Sequence, residues 1–312
     1  MMARILRFVV AAQLAAAFAI ALGLAHLGWS AWLALAAAAT LPVVVQGVLL
    51  AIQFATGALL DRRAQARLSL ARAVRLWWRE TWISVVTFCW RMPFRAGSPL
   101  PAIHRNPAVP AVLLVHGYLC NRAIWRPLLA SDTLARANVL AVNLEPVFGS
   151  IDRYADLLHD AIIRLRADSG AARVILVCHS MGGLAARAYL RAHGDALVAR
   201  VITLATPHAG TVFGRVGIGA NARQMAPRSR YLRELAEAEN KARRAKFVCI
   251  ASRDDNLIVP RSSPLLAGAR HVVLERIGHL TMTAAPAAWQ HVAQEIERIN
   301  ATGTPTRDSA RT

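Results

Sequence analysis

The chain has 312 residues, 55% of them hydrophobic, and its 37 lysines and arginines against 18 aspartates and glutamates give a formal net charge of +19. Nearly all of this excess is arginine spread along the whole chain, and no zinc-finger, recognition-helix or RNA-binding motif accompanies it. The charge is therefore not interpreted as a nucleic-acid-binding surface. Attraction to an acidic membrane surface explains the share of it that lies beside the apolar amino terminus.

The amino terminus is dominated by apolar side chains. No aspartate, glutamate, lysine or arginine occurs from Phe8 to Leu60, and this run is far longer than the ~20 apolar residues that one membrane crossing needs. Gly28 permits a turn, and Trp29 beside it is a residue type that favours the membrane interface. The pattern predicts a hairpin of two transmembrane helices near residues 6–26 and 31–54, and residues 1–60 are expected to act as a membrane anchor.

A secretory signal peptide is the alternative, because Arg4 and Arg7 precede the apolar run. Signal sequences have an apolar core of only ~7–15 residues, whereas here a second membrane-length segment follows immediately. Positive charge beside a span tends to stay in the cytoplasm, and arginines follow the second segment as well. These arginines are Arg62, Arg63, Arg67, Arg72 and Arg75. Two spans with basic flanks predict that the remaining chain lies on the cytoplasmic side.

Residues 61–107 form a juxtamembrane segment rich in arginine and tryptophan, followed by a proline-rich linker. A helix between Leu68 and Glu80 would separate a basic side from an apolar side. The basic side would carry Arg72, Arg75 and Arg79, and the apolar side Leu70, Val74 and Trp77. Such a helix could lie on anionic lipid; an ordinary solvated linker helix is the alternative.

Between residues 108 and 300, short apolar runs alternate with helix-favouring segments. Strands are predicted at 111–115, 138–142, 173–177, 200–205, 246–251 and 270–274, and helices near 123–135, 151–167, 181–193 and 284–299. This alternation predicts an α/β fold with a mostly parallel sheet and helices on both faces. The tail, residues 301–312, is expected to be disordered.

A serine stands where the third predicted strand gives way to a helix. Residues 177–185 are VCHSMGGLA, so that Ser180 lies between Cys178 and Gly182. This matches the G-x-S-x-G nucleophile elbow, in which small residues flank the serine because the turn is tight. Cysteine in place of the first glycine is a slight departure. Ser180 is the candidate nucleophile.

Two later loops carry the partners that a serine nucleophile needs. Asp255 follows the fifth predicted strand and His279 follows the sixth. His279 would take the proton from Ser180, and a carboxylate would hold the imidazole in one tautomer. Asp254 is the alternative acid, and the spacing to the segment 257–260 favours Asp255.

The tetrahedral intermediate also needs two backbone N–H donors. Met181, directly after the serine, would supply one. Tyr118, in the loop after the first predicted strand, would supply the other, with Gly117 permitting the turn.

The remaining histidines and cysteines are interpreted as structural. His116 and His179 are expected to organise loops, and His208 to belong to a turn. Cys89, Cys120, Cys178 and Cys249 have no C-x-x-C or metal-like spacing. The sequence thus predicts reduced thiols and no metal site.

Together the motifs resemble the bacterial triacylglycerol lipase and esterase branch of the α/β-hydrolase superfamily. They are VHGY at 115–118, CHSMGG at 178–183, TPHAGT at 206–211, DNLIVP at 255–260 and GH at 278–279. The resemblance covers about residues 108–300. It implies an α/β-hydrolase fold that cleaves carboxylic esters without a cofactor, with the triad and oxyanion-hole roles given above. By the same resemblance, residues 209–245 would form a cap or lid over an acyl pocket; a structural excursion without gating is the alternative.

The predicted function is that of a membrane-anchored serine ester hydrolase, a lipase or carboxylesterase acting on lipid esters through an acyl-enzyme on Ser180. The predicted location is a bacterial inner membrane, with the catalytic domain on its cytoplasmic side. A thioesterase or acyltransferase would use the same residues. A non-catalytic, membrane-bound binding module is the alternative of another class, and the complete set of serine, acid and base speaks against it.

Overall fold

The structure, a computed structural model, describes residues 1–61 and 69–303, with side chains up to residue 300. Three apolar helices come first: α1 (Met2–His26), α2 (Ala31–Ala39) and α3 (Leu41–Leu60). Helix α4 (Leu70–Val85) continues through a π-helical turn, Val86–Arg91, into the short helix α5 (Met92–Arg95). Arg62, Arg63 and Arg67, invoked above for the orientation of the chain, lie outside the described residues.

Six parallel strands form the described sheet, in the order β2-β1-β3-β4-β5-β6. They are β1 (Ala111–Val115), β2 (Asn138–Ala141), β3 (Val174–His179), β4 (Val198–Leu204), β5 (Phe247–Ser252) and β6 (Arg270–Leu274). All six predicted strands are present, within two residues of the expected bounds. The central strands are buried on both faces, as parallel strands covered by helices require.

Helices cover both faces of the sheet. They are α6 (Arg126–Leu129), α7 (Arg153–Ser169), α8 (Met181–His193), α9 (Ala220–Gln224), α10 (Arg230–Glu237), α11 (Lys241–Arg244) and α12 (Pro286–Gly303). The helix predicted at 123–135 is instead α6 flanked by two 3₁₀ turns, because Asn121 and Ser131 each cap a new turn with their side chains. Helix α12 extends to Gly303, so the predicted disordered tail starts too early; residues 304–312 lie outside the described part.

In the part of the chain that the structure describes, two stretches are long and apolar enough to cross a membrane: Met2–His26 and Ala31–Leu60, the second combining α2 and α3. Only 6% and 17% of their most apolar windows are buried, and large side chains such as Phe18 and Trp32 are exposed. A contiguous apolar surface of this size is unfavourable in water. The helices match the predicted hairpin, with a turn at residues 27–30.

The hairpin is packed on the rest of the chain at its open end, opposite the turn at residues 27–30. Near the start of α1, Arg7 donates from Nε to the carbonyl of Pro93 in α5 at 2.8 Å. Directly after α3, Asp61 accepts from the backbone N–H of Arg261 in the α/β domain at 2.6 Å. The apolar helices therefore share an interface with the domain that carries the predicted site, in addition to any contact with lipid.

Helix α4 buries a different face from the one expected. Leu70 and Val74, predicted to be on its apolar side, are exposed, whereas Glu80, Thr81 and Ser84 are buried. The reason is tertiary: α4 packs on α3, where the indole Nε1 of Trp77 donates to the carbonyl of Gly47 at 2.8 Å. Packing against a neighbour, rather than hydrophobicity alone, determines which side chains of α4 are covered.

The segment 209–245, predicted as a cap or lid, folds into short helices tied to the domain. Between α10 and α11, Glu239 forms a buried bidentate pair with Arg187 of α8, at 2.6 and 3.0 Å. Arg187 also donates to the carbonyl of His208 at 3.0 Å. These contacts fix the end of the segment to α8; its mobility stays a prediction.

Replacing Glu239 by alanine is expected to lower the free energy of unfolding by about 3–5 kcal/mol, because the Arg187 charge would remain buried without its partner. The matched control is Glu234→Ala, which removes an exposed pair with Arg230 and should change stability by less than about 1 kcal/mol. Thermal unfolding in detergent, followed by tryptophan fluorescence, measures both. Equal unfolding temperatures for the two variants would mean that the buried pair contributes nothing.

Candidate active site

Ser180 lies on a strained turn between β3 and α8. Its φ of 53° and ψ of −127° are rare for a residue with a side chain and cost on the order of 1–3 kcal/mol. The turn is held on both sides, since the Ser180 N–H donates to the Leu204 carbonyl and the Thr206 hydroxyl donates to the Ser180 carbonyl at 2.8 Å. A Cβ on Gly182 would lie 2.5 Å from the carbonyl oxygen of Val115, so only glycine fits there.

Cys178, which replaces the first glycine of the motif, does not disturb this turn. Cys178 belongs to β3, and its side chain is buried in the hydrophobic core. Burial raises the pKa of the thiol. It remains protonated at neutral pH and does not compete with Ser180 as a nucleophile.

Asp255 and His279 meet directly. The imidazole Nδ1 of His279 is 3.0 Å from Oδ2 of Asp255, and both side chains are buried. The other carboxylate oxygen, Oδ1, accepts the N–H groups of Leu257 and Ile258 at 2.8 Å each. Asp254, the alternative acid, accepts instead from the N–H of Arg276. The structure thus pairs Asp255, and not Asp254, with the histidine.

The pKa of His279 lies above its usual value of 6.5. Burial lowers it, but the charge and hydrogen bond of Asp255, together with the charge of Glu80, outweigh the burial. A histidine of this kind accepts a proton readily and stabilises the resulting imidazolium.

The loop that carries His279 rests on a carboxylate from α4. Glu80 is fully buried and accepts the N–H groups of Leu280 and Thr281, at 2.5 and 3.1 Å, and the hydroxyl of Thr281. Gly278 is in close contact with the same carboxylate, which leaves no room for a Cβ. Burial raises the pKa of Glu80, and these three donors oppose the rise.

Two more contacts fix the backbone of His279 itself. Its N–H donates to Oδ1 of Asn256 at 2.9 Å, and its carbonyl accepts from Nε2 of His179 at 3.1 Å. Asn256 in turn donates to Gln53 of α3 at 2.6 Å. His179 therefore has the loop-organising position that the sequence predicted.

Glu80, Asn256 and Gln53 were missed by sequence reasoning. A signal for Glu80 exists, because it is the only acidic residue between Asp61 and Asp132. An isolated carboxylate in an arginine-rich segment indicates a specific partner, here the loop after β6.

The predicted oxyanion residues lie on either side of the serine. Gly117 is so close that a Cβ on it would lie 2.8 Å from Cβ of Ser180, which brings the neighbouring Tyr118 to the turn. Met181 begins α8, so its N–H is one of the donors that a helix leaves without an internal acceptor.

His116 holds the loop that contains Tyr118 in place through two hydrogen bonds of its ring. Its Nε2 accepts the N–H of Leu144 at 2.9 Å, so Nδ1 carries the proton and donates to the Gly117 carbonyl at 2.8 Å. Burial lowers the pKa of His116 to about 4, and the ring stays neutral at pH 7. His208, in contrast, is buried away from this site, beside Thr203 and Cys249.

A cavity of about 300 Å³ joins Ser180 and His279, and Tyr118 lies on its wall. Half of its other lining residues come from the amino-terminal helices, and the other half come from the α/β domain. The side chains from the amino-terminal helices are Gln46, Leu49, Leu50 and Gln53 of α3, Glu80 and Ser84 of α4, and Phe88 of the π-helical turn. Residues 209–245 are not among those that line it. A larger groove of about 610 Å³ between α3 and α4 contains neither Ser180 nor His279.

The described residues include no group of three or more histidine, cysteine, aspartate or glutamate side chains that could hold a metal ion. The chemistry available to the cavity is that of a hydroxyl on a strained turn, a buried imidazole–carboxylate pair and nearby backbone N–H groups.

Comparison with known proteins identifies the family and the fold. The model of the alpha/beta hydrolase family matches residues 112–296, more than half of the chain; the chain belongs to that family. The structure is similar to the mature form of a Bacillus licheniformis lipase, with 17% identity, a TM-score of 0.54 and coverage of 64% of this chain and 96% of the lipase. Lipase B of Aspergillus fumigatus is also similar, at 17% identity and a TM-score of 0.55, with coverage of 64% of this chain and 55% of that lipase. No curated relative matches the sequence.

The α/β-hydrolase fold predicted from the sequence is confirmed by these matches. At such low identity the two lipases are evidence for the fold, and the functional assignment depends on this chain's own residues.

Replacing Glu80 by alanine is expected to destabilise the protein by at least about 3 kcal/mol, because two N–H groups and a hydroxyl would lose their buried acceptor at ~1–3 kcal/mol each. A displaced His279 should also lower kcat/KM for a p-nitrophenyl ester about 100-fold. Glu80→Gln keeps one acceptor oxygen and should lie between alanine and the wild type. Thermal unfolding and ester hydrolysis measure the two effects, with the exposed residue Glu237 changed to alanine as control. Wild-type values for Glu80→Ala would contradict this role.

Proposed function

We propose that the protein is a membrane-anchored serine hydrolase that cleaves the carboxylic esters of lipids. Ser180 is the nucleophile, His279 the general base and Asp255 the acid that orients the base. The observation that carries the proposal is the buried hydrogen bond between His279 and Asp255 beside a cavity that also contains the strained Ser180 turn.

The reaction follows from these roles. Oγ of Ser180 attacks the ester carbonyl carbon while Nε2 of His279 takes the hydroxyl proton. The tetrahedral intermediate carries its negative charge on the former carbonyl oxygen, toward the N–H groups of Tyr118 and Met181. Its collapse breaks the bond to the alcohol, which leaves with the proton from His279, and the acyl group stays on Ser180.

Water completes the cycle. His279 removes a proton from a water molecule, whose oxygen attacks the acyl carbon of the acyl-enzyme. The second tetrahedral intermediate collapses to a carboxylic acid and restores the Ser180 hydroxyl with the proton held on His279. Each oxyanion donor is worth about 10²–10³ in kcat by analogy with other acyl-transfer sites.

A lipid substrate is supported by the surroundings of the cavity. Apolar helices with largely exposed side chains lead to it, and Leu49, Leu50 and Phe88 form part of its wall. Arginines in the first two turns of α1 and on α4 favour the cytoplasmic face of a bacterial inner membrane. The proposal therefore includes an ester that is drawn from the bilayer.

A purely scaffolding role is disfavoured by the same features. A strained serine turn and a buried imidazole–carboxylate pair each cost stability, and a binding module would gain nothing from keeping both at one cavity.

Labelling with a tagged fluorophosphonate, which reacts with activated serines, tests the nucleophile. The wild type and the control Ser262→Ala, changed at an exposed serine, are expected to label equally, and Ser180→Ala to show no label. Equal labelling of Ser180→Ala would place the nucleophile at another residue. A folded wild type that does not label would contradict the proposed function.

The pH profile tests the acid and base. Activity requires neutral His279, so kcat/KM should rise with pH through a midpoint above 6.5, because the histidine's pKa is raised. Asp255→Asn removes the charge that raises this pKa, which should move the midpoint to lower pH and lower kcat by about 10⁴. Asp254→Asn is the matched control and should retain the wild-type profile. A loss of activity confined to Asp254→Asn would reverse the assignment.

A further inference from the structure

Helix α3 is apolar along most of its length but carries two glutamines that face the active site. Gln46 and Gln53 are seven residues apart, which places them on one face of the helix two turns from each other. Oε1 of Gln46 accepts from the hydroxyl of Ser84 at 2.9 Å, and Oε1 of Gln53 accepts from Asn256 at 2.6 Å. Polar residues within a membrane-length helix are costly in lipid and mark a functional face.

The leucines between these glutamines form part of the same face. Leu49 and Leu50 line the cavity that contains Ser180 and His279. Leu50 is 6% exposed and lies inside the packed region, whereas Leu49 is 50% exposed and thus reaches from the cavity to the outer surface of the helix. Val48 beside it is 55% exposed and does not line the cavity.

We propose that α3 is a specificity-determining wall of the active site, in which Leu49 selects the length of the substrate's acyl chain. The inference rests on the proposed ester hydrolysis and deepens it. The acyl chain would lie along the Leu49 and Leu50 side of α3, with its carbonyl at Ser180. The same helix would then both anchor the protein and hold the substrate.

The size of the cavity predicts the preferred substrate. The cavity's volume of about 300 Å³ lies at the small end of the ~300–1,000 Å³ range of small-molecule sites. Part of that space receives the ester itself. We therefore expect hydrolysis to be more efficient for short and medium acyl chains than for long ones.

The position of Leu49 also provides a path by which the substrate's acyl chain enters the cavity. Its exposed part lies beside Ile52, which is about one turn further along α3 and also exposed, and the two side chains form one apolar surface. An acyl chain would pass from the bilayer interior along this surface to Ser180 without crossing water, which avoids the cost of exposing its methylene groups on the way.

The test uses the full-length protein in phosphatidylcholine nanodiscs, because detergent would compete for an apolar cavity. Hydrolysis of p-nitrophenyl esters from C4 to C14 is measured for the wild type, Leu49→Trp, Leu49→Ala and the matched control Val48→Trp. Leu49→Trp should lower the ratio of kcat/KM for the C10 ester to that for the C4 ester about tenfold or more, the size of effect that small changes in an apolar pocket produce. Leu49→Ala should raise the ratio, and Val48→Trp should leave it within about twofold.

Labelling with a methyl-chain fluorophosphonate separates the possible failures. If Leu49→Trp labels at the wild-type rate and its chain-length profile equals that of Val48→Trp, the wall assigned to α3 is wrong while the proposed function stands. If the wild type neither labels nor hydrolyses any ester, the proposed function fails and the inference fails with it. A Leu49→Trp protein that folds and labels normally but rejects long chains supports both.

Discussion

The arrangement of the candidate active site depends on the hydrogen bonds that the carboxylate of Glu80 accepts. It comes from the helix that follows the apolar hairpin, yet it is buried beneath the loop that carries His279 and accepts three hydrogen bonds from that loop. A buried carboxylate is tolerated only when donors surround it. The loop after β6 and helix α4 therefore hold each other in place, and through Asn256 and Gln53 the same loop is joined to α3.

Because of these contacts between α3, α4 and the loop after β6, the amino-terminal helices are interpreted differently from the structure than from the sequence. From the sequence they form an anchor followed by a linker, separable from a catalytic domain. In the structure, α3 and α4 supply walls of the cavity at Ser180. The resemblance to lipases predicts instead that residues 209–245 cover this pocket. Under the proposed function, α3 would serve both membrane attachment and substrate binding, and the family match from residue 112 onward covers only part of the candidate site.

The sequence was most informative where a local motif dictates geometry. The alternation of strands and helices, the turn at Ser180 and the histidine after the last strand all follow from short segments, and the structure has each of them in the expected place. Long-range packing was not visible in the same way. Apolar residues that face lipid and apolar residues that face protein look alike in a sequence. The sequence therefore did not indicate that Leu49 and Leu50 line the cavity. On α4, Leu70 and Val74 are exposed and Glu80 is buried, the reverse of what hydrophobicity predicts. The glutamines of α3 and the isolated Glu80 were the available signals, because a polar group in apolar or uniformly basic surroundings needs a specific partner.

The most direct measurement is an experimental structure of the protein in nanodiscs after reaction with a p-nitrophenyl alkylphosphonate that carries a ten-carbon chain. We expect a phosphonyl group on Oγ of Ser180, one phosphonyl oxygen at the N–H groups of Tyr118 and Met181, and the alkyl chain along Leu49 and Leu50 of α3. A phosphonyl group on another residue would contradict the assignment of the nucleophile. An alkyl chain that lies beneath residues 209–245, away from α3, would contradict the proposal that α3 forms the wall for the acyl chain.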